Sequence, residues 1–292
     1  MVAAALAGAV FTAIGIVVRQ RATMDVPADE GMGALMLSTL LRRPLWWAGT
    51  ASAVTGYLFQ AVALAFGSLL LVAPLMVSAL LFALPLSAWL AHRRVTRLEW
   101  GWALVLTVAL AVFVMLAHTR PGDYDASEPT AVAVAVGCLL LVAGCVAVAG
   151  RMSDWRKAIT LALGVGLMFG VVAVLTKVEM NILRHESIAR VLTSPVTYTL
   201  IAFGVGATLL QQSAFHAGSL KASVPAMLVL EPVIAVLLGQ VVLGEHLVVS
   251  TPEAVALGVT VAAMTAATIA LGRDEGAYED ELEASSSRHL SR

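Results

Sequence analysis

Charge is what this chain has least of. Of its 292 residues only 13% are Asp, Glu, Lys or Arg, while 60% are hydrophobic, against roughly a quarter and a half in an average soluble domain. That shortage excludes an ordinary water-soluble fold. At a mean hydropathy of +0.90 such a fold would leave far more apolar surface in water than solubility tolerates. Cysteine is scarce too. Cys138 and Cys145 are the only two; two helical turns apart in one apolar run, they share a helix face but are too distant for a disulfide with each other and too few for a metal site.

Catalytic motifs are also missing. There is no Walker loop, no HExxH and no serine or cysteine nucleophile with a base nearby, so the chain reads as neither an ATPase nor any other enzyme, and as needing no cofactor. The net charge of −1, from 18 Lys and Arg against 19 Asp and Glu, offers nucleic acid no electrostatic footing.

What the sequence does have is long apolar runs. At about 20 residues per bilayer crossing, they fall at 1–18, 46–66, 69–91, 98–117, 130–150, 157–177, 196–217, 220–243 and 252–272. This pattern predicts an all-α polytopic membrane protein with nine crossings. Residues 31–41 are apolar but about half the spanning length; if they crossed, there would be ten helices. The first run is followed, not preceded, by basic residues, Arg19 and Arg21, which argues for a true helix rather than a secretory signal. The stretch 273–292 is acidic and polar and reads as an unstructured cytoplasmic tail.

Loop charges set an orientation. Fourteen of the 18 Lys and Arg fall on one side of this nine-helix arrangement, and Arg120, Lys177, Arg184 and Arg190 fall on the other. The excess of positive charge belongs in the cytoplasm, so the expectation is a plasma-membrane protein with its N-terminus outside and its C-terminus inside. The six tryptophans then lie on or near the cytoplasmic boundary, as an interfacial belt would place them.

The chain also repeats. Shifted by 151 residues, 44–82 aligns with 195–233 without a gap, and eleven positions are identical. Among them are Pro44/Pro195, Gln60/Gln211, Ala63/Ala214, Gly67-Ser68-Leu69/Gly218-Ser219-Leu220, Pro74/Pro225 and Met76/Met227. Gly8 and Phe11 match Gly166 and Phe169, and Arg19 matches Lys177. The organisation this implies is a first repeat at 1–117, a connector at 118–156 that includes the helix 130–150, a second repeat at 157–272, and the tail. One extra crossing between two four-helix units inverts the second, and inverted repeats are a recurring plan of secondary transporters.

Few polar groups fall inside these runs. Glu231 lies near the centre of 220–243, where an ionised carboxylate costs a few kcal/mol even on the mildest scale (~2.5–3.5). Pro232 beside it deletes a helical hydrogen bond and frees a carbonyl. Together they make a candidate cation or proton site, and Glu231 is the candidate metal ligand. Gln60, Gln211, Gln212 and Tyr57 are candidates to line the same path, though hydrogen-bonded glue between helices is their alternative role. Pro74, Pro85, Pro225 and Pro232 are candidate helix breaks. Lys177 and Arg19 are candidate gate charges, or else side chains that snorkel to water.

Glu231-Pro232-Val233-Ile234-Ala235-Val236-Leu237-Leu238, followed by Leu243-Gly244-Glu245 and Ala256-Leu257-Gly258, resembles the end of an EamA-type repeat of the drug/metabolite transporter superfamily. With Pro44-Leu45-Trp46-Trp47-Ala48-Gly49 and Leu71-Val72-Ala73-Pro74-Leu75, the likeness is greatest to the NIPA-type magnesium transporter branch and its bacterial relatives. Two features depart from the pattern: the usual second helix of each repeat is replaced by 31–41 and by the polar stretch 178–194, and Leu80-Leu81 stands where the second half has Glu-Pro. The resemblance implies a secondary carrier that uses no ATP. The expectation is therefore a carrier for a small solute or cation, magnesium among them, working from the lipid bilayer by alternating access, with a homodimer left open. A lipid flippase or scramblase and a non-transporting assembly subunit are the competing readings.

Overall fold

The computed structural model describes residues 1–24, 42–90, 94–120, 128–152, 154–216 and 220–290. The segment 31–41 lies outside these residues, as do the side chains of Gln212, His216 and Pro225. The described chain is almost entirely helical, as its apolar runs require, because a backbone in lipid must satisfy its own hydrogen bonds.

The first part comprises α1 (Val2–Met24), α2 (Pro44–Phe66), α3 (Leu69–Met76), α4 (Ala79–Leu90) and α5 (Arg97–Leu116). A two-residue strand, β1 (Thr119–Arg120), follows, and then α6 (Glu128–Ala149). The remainder comprises α7 (Asp154–His185), α8 (Ile188–Thr193), α9 (Pro195–His216), α10 (Leu220–Leu243), β2 (His246–Leu247) and α11 (Thr251–Leu290). Among the described residues seven spans are long and apolar enough to cross a membrane, with α3 and α4 counted together, and α6 and α9 carry shorter apolar stretches. The protein is thus an all-α polytopic chain.

Local sequence explains where helices begin. Pro44 opens α2 at a position whose N–H would be unpaired anyway. Thr96 and Glu99 form a reciprocal capping box at the start of α5. The start of α11 uses the same Ser/Thr-x-x-Glu spacing, with the Ser250 N–H and hydroxyl both donating to Glu253.

Glycine sets the closest packing. A Cβ on Gly15 of α1 would stand 2.7 Å from the Ala53 backbone nitrogen, and one on Gly56 of α2 2.7 Å from that of Thr12. Gly8 meets the backbone of Gly56 and Gln60, and Gly49 meets Arg19, so α1 and α2 run antiparallel at near-backbone contact, the packing that small residues permit in lipid. On α7, Gly166 lies against Leu230 and Glu231, and Gly170 against Ile234 and Ala235 of the parallel α10.

The same neighbours recur in both parts. α1 packs on α2 and α4, while α7 packs on α9 and α10. The two parts meet where α3 abuts α10 and where α5 abuts α11; the latter seam buries Leu106, Leu110, Phe113, Leu257, Met264 and Leu271.

Three expectations are corrected. The run 69–91 is two helices, because tight three-residue turns at Pro74–Val77, Leu75–Ser78, Val77–Leu80 and Ser78–Leu81 replace the helical ladder just after Pro74. Conversely, α10 passes unbroken through Pro225 and Pro232, and α4 through Pro85. Finally, α7 continues about two turns beyond Lys177 to His185, and α11 continues to Leu290 through the segment read as an unstructured tail. That segment has no proline and is rich in good helix formers.

Candidate functional site

The polar groups of this fold gather where α2 turns into α3. At Gly67-Ser68 one helix ends and another begins, so unpaired carbonyls of α2 and unpaired N–H groups of α3 lie side by side. The latter part of the chain satisfies both sets. Lys177 of α7 donates to the carbonyls of Leu64, at 2.7 Å, and Gly67. Two turns further, Arg184 donates to the Ala65 carbonyl and lies 4.9 Å over the Phe66 ring.

Glu245 deals with the opposite pole. Its carboxylate accepts from the Ser68 hydroxyl at 2.6 Å, the Leu69 N–H at 3.1 Å and the Leu70 N–H at 3.2 Å. Ser68 Oγ also accepts from the Leu70 N–H. Gly244 makes this possible: at φ 64° it takes the left-handed turn that ends α10, and the Glu245 N–H then closes back onto the Gly239 carbonyl. Each bond to the charged carboxylate contributes about 1.5–3 kcal/mol, and a negative charge at a helix N-terminus adds up to about 2 kcal/mol. Both oxygens are engaged and the residue is 2% exposed, so Glu245 acts as a brace for the start of α3. Positive side chains thus sit at the negative end of α2 and a negative one at the positive end of α3, all supplied from the latter part of the chain.

Beside this clamp lies a cavity of about 640 Å³, lined among others by Met1, Phe66, Asn181, Arg184, His185 and Glu245. Lys177, Asn181 and Arg184 follow one another at helical spacing and present one face of α7 to it. Thr176 and Glu179 lie on a different face. Thr176 donates to the Val172 carbonyl, so the Tyr57 hydroxyl, 2.9 Å away on α2, donates to Thr176. Glu179 is 3% exposed and contacts Thr197 of α9 at 2.8 Å through Oε1, while Oε2 has no hydrogen-bond partner.

The residues singled out from the sequence fall at two depths. Glu231 on α10 is half-buried, its backbone against Gly166 of α7, and among the described residues no hydrogen bond or ion pair reaches its carboxylate. Leu210 packs on Gly164, which puts the half-buried Gln211 near the same level. Tyr57 belongs to the level of Thr176, ten residues or about 15 Å further along α7, and Gln60 is a turn further still. Glu231 and Gln211 thus form a lower level, and Tyr57 and Gln60 an upper one, so the four side chains do not converge on a single point. The Lys177 ammonium donates to two carbonyls of the α2–α3 junction and borders the cavity. Arg19 donates to Gly15 one turn back on its own helix. Pro74 is buried in α3, Pro85 is exposed on α4 and Pro232 is half-buried on α10. Cys138 and Cys145 are free thiols on α6.

Sequence reasoning missed Glu179 and the role of Glu245. The i, i+3 spacing of Thr176 and Glu179 and the i, i+4, i+7 spacing of Lys177, Asn181 and Arg184 were the available signals that α7 continues with two polar faces. Among the described residues no three His, Cys, Asp or Glu side chains converge as a metal cage.

No known protein-family model matches the chain, and no solved structure matches it. An uncharacterised protein of Corynebacterium glutamicum is 37% identical over 269 residues, which cover 92% of this chain and 93% of that one.

Proposed function

The chain belongs to one family with that Corynebacterium glutamicum protein, and we propose that it is a secondary membrane carrier that moves a small solute or cation by alternating access, without ATP. The observation that carries this reading is the repeated packing of its two parts. Gly8 lies beside the Met76 sulfur and Gly166 beside the Met227 carbonyl, and these are equivalent positions in the two sequence repeats. α1 with α2 and α4 mirrors α7 with α9 and α10. Among the described residues, the seven spans taken with the shorter α6 and α9 give nine crossings, and that odd number supports a second unit inverted with respect to the first. Two such units, joined along α3/α10 and α5/α11, can rock about their seams.

Glu231 is the binding or coupling carboxylate in this reading. It lies about mid-span with no counter-ion among the described residues, whereas Glu245 is committed to α3. Gln211 lines the same level. The Lys177–Arg184–Glu245 clamp closes one end, and charge bias puts that end outside, with the protein in the plasma membrane. Magnesium stays within the substrate class because it keeps several waters and needs few protein ligands. The likeness to drug/metabolite transporters supports the same mode of action.

Uptake into liposomes tests it. Purified protein is reconstituted and offered magnesium, other divalent cations and small amines across a range of pH. Uptake above protein-free liposomes, reduced at least tenfold and made insensitive to pH by Glu231→Gln, is expected. Unchanged uptake and pH dependence in Glu231→Gln would remove the role given to that carboxylate. Lipid scrambling without solute uptake would replace the carrier with a lipid-handling protein.

A further inference from the structure

We propose that the cavity beside the clamp binds an oxyanion, a phosphate group carried either by a free solute or by a lipid headgroup. This goes beyond the carrier reading and does not depend on it, because binding is measured without transport. Four separate junctions between spans meet there, since Ser68, Thr119, Arg184 and Glu245 all line the cavity. They lie on the side to which loop charges give the fewest basic residues. Of the four Lys and Arg on that side, Arg120, Lys177, Arg184 and Arg190, two line this one cavity, Lys177 and Arg184. A cation kept within or at the edge of a span is kept for a partner or a ligand.

Their protein partners do not exhaust them. The Lys177 ammonium has three protons and gives two, to the Leu64 and Gly67 carbonyls. The Arg184 guanidinium has five N–H groups and gives one, to the Ala65 carbonyl, while the Phe66 ring steadies its other side. Asn181 lies between them on the same face of α7. It is half-buried, and its side-chain amide has no hydrogen-bond partner among the described residues. The half-buried Thr119 hydroxyl is in the same position.

Charge is left over as well. Among the described residues neither Lys177 nor Arg184 forms an ion pair, and each stands in the field of the other. Glu245 is the one acid among the described lining residues, and both its oxygens are turned to the start of α3. Glu186, just past the end of α7, is exposed and paired with Arg190 at 3.2 Å. An oxyanion supplies both what the cations lack in charge and what the spare N–H groups lack in acceptors.

The donor set favours phosphate over a carboxylate. A point charge, a planar fork, an amide and a hydroxyl open on one space, and a phosphate offers oxygens to more of them than a carboxylate does. The cavity, at about 640 Å³, is of the size that holds a small organic ligand. Leu64, Phe66 and Leu243 give it an apolar wall, so the phosphate is expected to carry an apolar part.

Binding to the full-length protein in nanodiscs tests this at fixed ionic strength. Inorganic phosphate is titrated into phosphatidylcholine discs and followed by phosphorus NMR line broadening. In mixed discs, retention of phosphatidylglycerol over phosphatidylcholine is counted by native mass spectrometry. Saturable phosphate binding assigns the site to a free solute, and phosphatidylglycerol retention without it assigns the site to a headgroup. In either case Arg184→Gln should weaken binding at least about tenfold. Arg190→Gln, which removes the same charge from the same side but away from the cavity, should leave it unchanged. Asn181→Leu, expected to weaken binding about threefold, serves where Arg184→Gln fails to fold. Binding that a folded Arg184→Gln protein retains in full, or that Arg190→Gln loses equally, overturns the proposal. So does the absence of both phosphate binding and phosphatidylglycerol preference.

Discussion

Ser68 gives its hydroxyl proton to Glu245 across 177 residues of chain, at 2.6 Å. That single bond ties the start of α3 to the turn after α10, and it is the centre of the clamp that Lys177 completes from the other side.

Removing Glu245 should therefore be costly well out of proportion to its size. Glu245→Ala leaves the Ser68 hydroxyl and the Leu69 N–H without their acceptor and the Leu70 N–H with Ser68 Oγ alone, at about 1–3 kcal/mol for each buried donor left unpaired. A loss of roughly 3–5 kcal/mol is expected, and Glu245→Gln, which retains one acceptor oxygen, should lose less than half as much. Thermal unfolding in detergent checks the order. Because Lys177 braces the same junction, a double-mutant cycle of Lys177→Met with Glu245→Gln should show a coupling of at least about 0.5 kcal/mol; additive effects would mean that the two ends are held independently.

Glycine substitutions separate close packing from mere helix propensity. Gly15→Ala drives a Cβ to 2.7 Å from the Ala53 backbone nitrogen, where nothing can yield without moving a helix, so about 1–3 kcal/mol should be lost. Gly101→Ala meets nothing within 4 Å and should be neutral or stabilising by up to about 1 kcal/mol. Equal effects at the two sites, in the same unfolding assay, would contradict the tight α1–α2 crossing.

The orientation can be read by thiol labelling. In a background with Cys138→Ala and Cys145→Ala, Ile188→Cys, which is 69% exposed, should react with a membrane-impermeant maleimide in intact cells. Arg151→Cys should react only after the cells are opened. The reverse pattern would turn the protein over and place the Lys177–Glu245 clamp inside.

Much of this architecture was legible in the apolar runs, which mark α1, α2, α5, α9 and α10 to within a few residues. The rest was not, for physical reasons that can be named. A run is judged to end at its first charge, so Lys177 seemed to finish a helix that in fact continues to His185; the charge is tolerated because carbonyls of α2 receive it. Prolines were weighed alike, yet only Pro74 adjoins a break, since α10 runs on through Pro225 and Pro232 and α4 through Pro85. Glu245 was visible as part of a family-like Leu-Gly-Glu, but its partner Ser68 is too distant in sequence for any local pattern to reveal. Glu231 was singled out because a lone carboxylate in an apolar run is conspicuous, whereas Glu179 was passed over because it sits among polar neighbours.

The central claim is that the two parts move against each other, and a reversible covalent tie tests it most directly. A Cβ on Gly239 of α10 would lie 3.6 Å from the Leu69 Cβ of α3, within the roughly 3.5–4.5 Å a disulfide requires. The variant with Gly239→Cys and Leu69→Cys, in the background without Cys138 and Cys145, should form that bond on oxidation. The carrier account predicts that uptake into liposomes stops when the bond forms and returns when it is reduced. Full uptake by fully cross-linked protein would contradict it.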